Sequence, residues 1–195
     1  MLPRKILKTE KQSLIDHFLN DMVGELRRLR FGYPAQDEAV IKYIVDSVEK
    51  IDGVRNQWFV VAVGDRIIGT CHVGFIDDAH VELGFTVSQD YQGHGIGQKL
   101  FQRGSDWARS RGAEAICMQC LSENSIVQHI ANKNGMKTIT VGPGEKESTR
   151  KLTQPKYQAI QSEVAHDVMS IYDAIIRKNS KMFEDLLNVW IPTNN

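Results

Sequence analysis

The sequence predicts a mixed α/β (α+β) fold, in which helices flank a central, mostly antiparallel sheet and a helical extension follows at the C-terminus. Three observations predict it. Two amphipathic helical stretches come before any long strand. Three β-rich runs between residues 58 and 87 are separated only by short polar turns, which join antiparallel neighbours. A cluster of glycines then opens a further helix. With 195 residues and 42% hydrophobic content, the chain can bury one proper core.

Residues 6–8 (ILK) make a short first strand, and Thr9 with Gln12 resembles a capping box at the start of a long helix. Leu14, Ile15, Phe18, Leu19, Met22, Val23 and Leu26 carry its apolar stripe to about Arg30. After the loop RFGYP, a second helix spans 36–49 with Val40, Ile41, Ile44, Val45 and Val48 on one side, and Gly53 closes the connection. The runs WFVVAV (58–63), RIIGTCHVGFI (66–76) and HVELGFTV (80–87) form a meander turned by Gly64-Asp65 and Asp77-Asp78. The helix after the glycines buries Leu100, Phe101, Trp107 and Ala108 and ends in Arg109, Arg111 and Gly112, which suit the negative end of its dipole. Strand AICMQC follows, then a helix from Asn124 to Asn134 with Ile126, Val127 and Ile130 inward, and a closing pair of strands, MKTITV and STRKLTQ, around a GPGE turn.

Beyond Pro155 the period changes. Ile160, Val164, Val168, Ile171 and Ile175, then Met182, Phe183, Leu186, Leu187 and Trp190, predict one long and one short helix whose apolar faces need cover from the main domain or from a second copy of the chain in a homodimer. The expected division is a domain over 1–154 and a helical extension over 155–195.

Composition narrows the function classes. The 24 basic residues balance the 24 acidic ones, so no whole-protein field recruits nucleic acid or an anionic membrane. The chain shows no signal peptide and no apolar run of spanning length, so a cytoplasmic location is expected. Cys117 and Cys120 sit three apart on a strand and point to opposite faces, which suits neither a zinc knuckle nor a redox helix start, and with Cys71 they read as buried structural thiols. No histidines have metal-ligand spacing with acidic partners, and no metal is expected.

The stretch DYQGHGIGQKL carries the chemistry. Glycines let the backbone turn tightly and come close to a ligand, and a helix start offers free amide N–H groups with partial positive charge, a place suited to phosphate. The dinucleotide fingerprint fails because Gln98 stands where its third glycine belongs, and the P-loop fails because Gly97 is followed by Gln98 and Lys99 rather than Lys and Ser or Thr. What remains is a Q-x-x-G-x-G arrangement over Gln92, Gly93, His94, Gly95, Ile96 and Gly97, between the apolar run VELGFTV and the helical pattern LFQRGSDWA.

In that element order, VELGFTVSQDYQGHGIGQKL and LSENSIVQHIANKNGM resemble the GNAT superfamily of N-acetyltransferases over residues 4–154. The resemblance implies that the fourth and fifth strands splay apart and that acetyl-CoA is the acyl donor. Its pyrophosphate would lie on the amides of 92–97, its pantetheine arm along the backbone of Phe85, Thr86 and Val87, and its arm near the side chain of Asn124. Asn124 also reads as a plain helix cap.

An amine must lose a proton before it attacks, since lysine has a reference pKa of about 10.4. Glu82 interrupts an apolar run ten residues before Gln92, where the resemblance implies a catalytic glutamate, and partial burial is expected to raise its pKa toward useful values. Without the resemblance it reads as an outward residue of an antiparallel strand. As bases, His72, His80, His94 and His129 rank behind it. The usual tyrosine that protonates the CoA thiolate is replaced by Ala131, leaving Ser125, Tyr91 or water. The motifs and the phrase RLRFG look closest to bacterial protein-lysine acetyltransferases, which makes Arg30, Phe31 and Tyr33 candidate acceptor contacts. The expected activity is acetyl transfer to a primary amine by direct attack, with a protein lysine as first reading. A small amine or amino acid, and a catalytically silent acetyl-CoA binding module, stay as alternatives.

Overall fold

The computed structural model describes residues 1–153 and 156–190, with residues 156, 173, 174 and 177–190 as backbone only. The chain forms a seven-stranded sheet in the order β1-β2-β3-β4-β5-β7-β6. Its strands are β1 (Arg4–Lys5), β2 (Asn56–Val63), β3 (Arg66–Phe75), β4 (His80–Val87), β5 (Ala115–Leu121), β6 (Lys137–Gly142) and β7 (Glu145–Lys151). Every neighbouring pair is antiparallel except β4 and β5. The meander and the closing hairpin follow the short turns read from the sequence, and Gly64 at φ 57° fits the first of them.

Strand alternation sends side chains to two cores. On one face Phe59, Val61, Val73, Val81 and Leu83 pack under α4 (Ile96–Ser110), against Leu100, Phe101 and Trp107. On the other face Trp58, Val60 and Ile67 meet Leu14 and Phe18 of the N-terminal helices and Val40 and Ile44 of α3 (Asp37–Glu49). Each fully buried Phe or Leu contributes about 1.5–3 kcal/mol. Among the described residues, no helix is long and apolar enough to cross a membrane.

The first strand is Arg4–Lys5 rather than 6–8: the pairing Arg4↔Val60 and Lys5↔Phe59 uses half-buried charged residues, as edge strands do. Accordingly, the first cap also sits earlier, where the Glu10 carboxylate accepts the Leu7 amide at 2.9 Å. The single helix to Arg30 is broken. Helix α1 (Lys11–Asp16) runs into a wide turn over His17–Asp21, in which the Met22 amide reaches back to the His17 carbonyl, and α2 (Glu25–Phe31) starts afresh after Gly24 at φ 55°. Lastly, the two C-terminal helices are one, α6 (Lys156–Trp190), because the polar run between the two apolar stripes contains no Gly or Pro to stop it.

Helix α6 docks through polar groups. Asp106 of α4 accepts Ser162 and His166, both at 3.0 Å, Glu163 accepts Ser110 Oγ at 2.5 Å and pairs with Arg111, and Asp167 pairs with Arg103 and, at 2.7 Å, with Lys5. Burial acts to raise the pKa values of Asp106 and Glu163, but the surrounding donors outweigh it and hold both carboxyls low. The stripe read from the sequence faces away: Ile160, Val164, Val168, Ile171 and Ile175 are exposed, so the main domain does not cover it. The second stripe, Met182 to Trp190, lies outside the residues whose side chains are described.

Candidate active site

Strands β4 and β5 are joined by three rungs only, His80↔Ala115, Val81↔Ile116 and Glu82↔Cys117, and then diverge. From Leu83 to Val87 the β5-side edge of β4 has no strand partner, while β5 pairs on with β7. A cavity of about 720 Å³ fills the opening. Its walls are Phe85, Thr86 and Val87 of β4, the glycine loop, α5 (Ser125–Lys133), and Met22, Leu26, Leu29 and Arg30 from the first helical segments.

The loop is shaped by its glycines. Gly93 and Gly95 adopt φ of 77° and 76°, a region that residues with a Cβ rarely enter. Gly95 is the N-cap of α4 and supplies no side chain to the first amides of the helix. A Cβ on Gly97 would lie 2.8 Å from Ile130 Cδ1, so any larger residue there would make the tip of Ile130 shift. The Gln92 side chain folds back to donate to the Val87 carbonyl at 3.1 Å, tying the loop to the strand edge. Of the residues assigned to the cofactor from the sequence, His94 alone does not line the cavity; it is exposed, with Nδ1 2.8 Å from the Gln92 carbonyl.

Asn124 is buried and lines the cavity. Its Oδ1 accepts the Val127 amide at 3.2 Å, which caps α5, and its Nδ2 donates to the Leu29 carbonyl at 3.4 Å. An ion pair between Arg28 and Glu123 makes a second tie, so α2 is strapped across the opening to the loop before α5. Ile126, expected inward, is 51% exposed and forms part of the cavity wall instead, because the gap left by the diverging strands lies beneath it.

Glu82 stands on the last rung, where the strands begin to part. It is exposed and lines neither the main cavity nor a smaller one of about 30 Å³ at the apex, so the expected partial burial does not occur. The small cavity is walled by Leu83, Gly84, Phe85, Met118, Gln119 and Arg30 among others. Arg30 lies across Gly84 and lines both cavities, whereas Phe31 packs its ring against Phe18 and Tyr43 and Tyr33 is exposed outside. Ala131 is fully buried, while Ser125 and Tyr91 both line the cavity.

The histidines divide clearly. His72 is stacked on Trp58 at 4.5 Å and held by Tyr43 OH and Asn56 Oδ1; burial, then the Arg30 charge, pushes it down to about 3, a poor base. His80 is occupied with Asp77, and His129 lines the cavity from α5. The cysteines are free: burial pushes Cys71 up to about 12 and Cys117 up to about 11, and Cys120 is half-buried. Met22 and Leu26, read as core stripe, do pack in that core but also line the cavity, a role the sequence did not show, and Leu29, outside the stripe, lines it too; Gly24 was the signal that the helix must turn there. Sequence reasoning also missed buried His17, whose Nε2 meets Thr86 Oγ1 behind the cavity wall.

The family description "Acetyltransferase (GNAT) family" matches residues 20–136. No curated protein matches the chain in sequence. Among solved structures, the GNAT domain of S. lividans PAT superposes with a TM-score of 0.69 at 19% identity, covering 77% of this chain and 89% of that one. A ribosomal L7/L12 alpha-N-protein acetyltransferase, RimL, in complex with coenzyme A gives 0.63 at 14% identity, covering 77% and 93%. The ribosomal-protein-S5-alanine acetyltransferase from Vibrio fischeri gives 0.62 at 16% identity, covering 78% and 94%.

Proposed function

Since the chain belongs to the GNAT acetyltransferase family, we propose that it carries acetyl from acetyl-CoA directly to a primary amine, with a protein lysine as acceptor. One observation carries this reading: the cavity joins an uncapped helix start to a strand edge left open by divergence from its neighbour. Free amides at 95–97 suit a diphosphate, and the edge at 85–87 suits the amides of a pantetheine arm. The structurally similar RimL is described in complex with coenzyme A.

In this proposal the arm ends at the apex, beside the rung of Glu82. The amine nitrogen attacks the thioester carbonyl, a backbone amide near Val87 meets the developing oxyanion, and the proton passes to Glu82 through water, which its exposure admits. The C–S bond then breaks, and a thiolate with a reference pKa of about 8.5 leaves tolerably without a dedicated acid, so Ala131 is no obstacle. Ser125 and Tyr91 stand on the cavity wall as optional donors. Arg30 contacts the acceptor. Residues 1–154 form the transferase domain and 155–195 an extension, whose open apolar stripe suits a second copy of the chain.

Thermal unfolding with acetyl-CoA tests the reading. A hundredfold excess over Kd should stabilise the protein by ~2.7 kcal/mol, with NADH and ATP as controls. Stabilisation by the controls alone refutes it, and thiol release across amines, amino acids and lysine peptides then ranks acceptors.

A further inference from the structure

Arg30 has no counter-charge within ion-pair distance among the described residues. Among the described arginines only Arg30 and Arg150 lack a carboxylate within ion-pair distance, and Arg150 donates instead to the Asn134 carbonyl at 2.7 Å. The guanidinium of Arg30 makes one hydrogen bond, from Nη2 to Tyr43 OH at 3.0 Å, and its Nε is buried without a partner. It is nevertheless held in place. Phe31 and Tyr43 flank it with ring centroids at 5.4 and 5.7 Å, and beneath it Gly84 leaves room that a side chain would occupy, since a Cβ there would lie 2.5 Å from Nη2.

A half-buried guanidinium costs desolvation that an anion would offset, and its planar fork matches a carboxylate. No described residue supplies that anion. The charge stands at the apex, where both cavities end. Glu82 is two residues along the strand from Gly84, roughly 7 Å by strand rise, and on the same face.

We infer that the acceptor carries a carboxylate close to its amine and that Arg30 holds that carboxylate while the amine faces Glu82. This inference rests on the proposed acetyl transfer. The carboxylate has two sources, the α-carboxylate of a free amino acid or an acidic side chain beside the target lysine in a protein.

The test uses the intact protein and matched acceptors. One arm compares amino acids with their α-amides, and the other compares lysine peptides bearing Asp or Asn next to the lysine. In one arm kcat/KM for the acid should exceed that for the amide by roughly tenfold or more, the size of a charge-assisted contact. Arg30→Gln should bring the ratio close to one with KM for acetyl-CoA unchanged, and Arg30→Lys should keep part of the preference. Absence of preference in both arms, or an equal loss on acid and amide in Arg30→Gln, overturns the inference, the latter pointing to the oxyanion. Thermal shifts with N-acetyl amino acids against N-acetyl amino acid amides, in the presence of CoA, separate the two readings. If no amine is acetylated yet only the acids stabilise wild type, and not Arg30→Gln, the transfer reading fails and the anion site stands. Equal shifts for acid and amide sink the anion site.

Discussion

Nε2 of His17 lies 2.7 Å from Oγ1 of Thr86, so the wide turn that ends α1 is bonded to the back of the cavity strand. Thr86 Oγ1 is also 2.7 Å from Thr70 Oγ1, and Asp21 accepts Ser88 Oγ at 2.6 Å and pairs with Arg66. All of His17, Thr70, Thr86 and Ser88 are buried. Removing the imidazole by His17→Ala takes from Thr86 Oγ1 one of its two buried partners, Thr70 remaining, and the lost bond is expected to cost about 0.5–1.5 kcal/mol. Urea midpoints measure the cost. Because Thr86 also faces the cavity, acetyl-CoA affinity should fall with it, and an unchanged midpoint would show the network to be idle.

Acid sensitivity follows from two histidines. Burial is the first cause that lowers the pKa of His17, against the pull of Asp21, and burial then Arg30 lowers His72 to about 3. With folded values below the unfolded ~6.5, the unfolded chain binds more protons between the two. Their contribution is complete above ~6.5 and shrinks as pH falls from there, down to about 3 for His72, by up to about 1.4 kcal/mol per pH unit for each histidine. Carboxylates held low in the folded state, such as Asp106 and Glu163, add their loss only at more acid pH. Chemical unfolding between pH 7 and 4.5 should therefore show a slope that His72→Gln reduces. A slope indifferent to that change would contradict the assignment.

The glycine loop predicts two distinct failures. Gly95→Ala forces a Cβ into φ near 76°, at about 1–2 kcal/mol, and reshapes the amides that start α4. Gly97→Ala keeps an ordinary backbone but pushes on Ile130 Cδ1. Both are expected to weaken acetyl-CoA binding at least tenfold by calorimetry, on the order of 1.4 kcal/mol, while only Gly95→Ala carries the backbone strain. Wild-type affinity in both variants would remove the loop from the site.

Glu82→Gln keeps size and removes the proton acceptor. Turnover should drop by roughly a hundredfold or more, with acetyl-CoA affinity intact, if the carboxylate takes the amine proton. Measured kcat against calorimetric Kd separates these. The exposure of Glu82 sharpens the test, since water alone could replace an idle carboxylate at no loss in rate.

Much of this was legible because local pattern and fold agree. The meander rests on tight turns, α4 on the stripe of Leu100, Phe101 and Trp107, and the loop on glycines whose positive φ only their spacing announced. The failures have physical causes. Apolar residues from Leu14 to Leu26 suggested one rod, yet a single glycine at 24 and a widened turn at His17 divide it, so that Met22 and Leu26, while still packed in the core, line the cavity together with Leu29. A stripe on α6 suggested burial, but docking runs through Asp106, Glu163 and Asp167, polar residues that periodicity in hydrophobicity passes over. The open charge on Arg30 depends on what is absent around it, and neighbours in space are not neighbours in sequence.

Helix α4 offers amides to the cavity at one end and grips α6 through Arg103, Asp106 and Ser110 toward the other. Its 15 residues make a stiff shaft of about 22 Å. If the donor occupies the loop as proposed, the C-terminal helix is expected to be steadied with it. Slower deuterium uptake over residues 159–170 when acetyl-CoA is added is the signature of that steadying, and unaltered uptake there would show the shaft to be uncoupled.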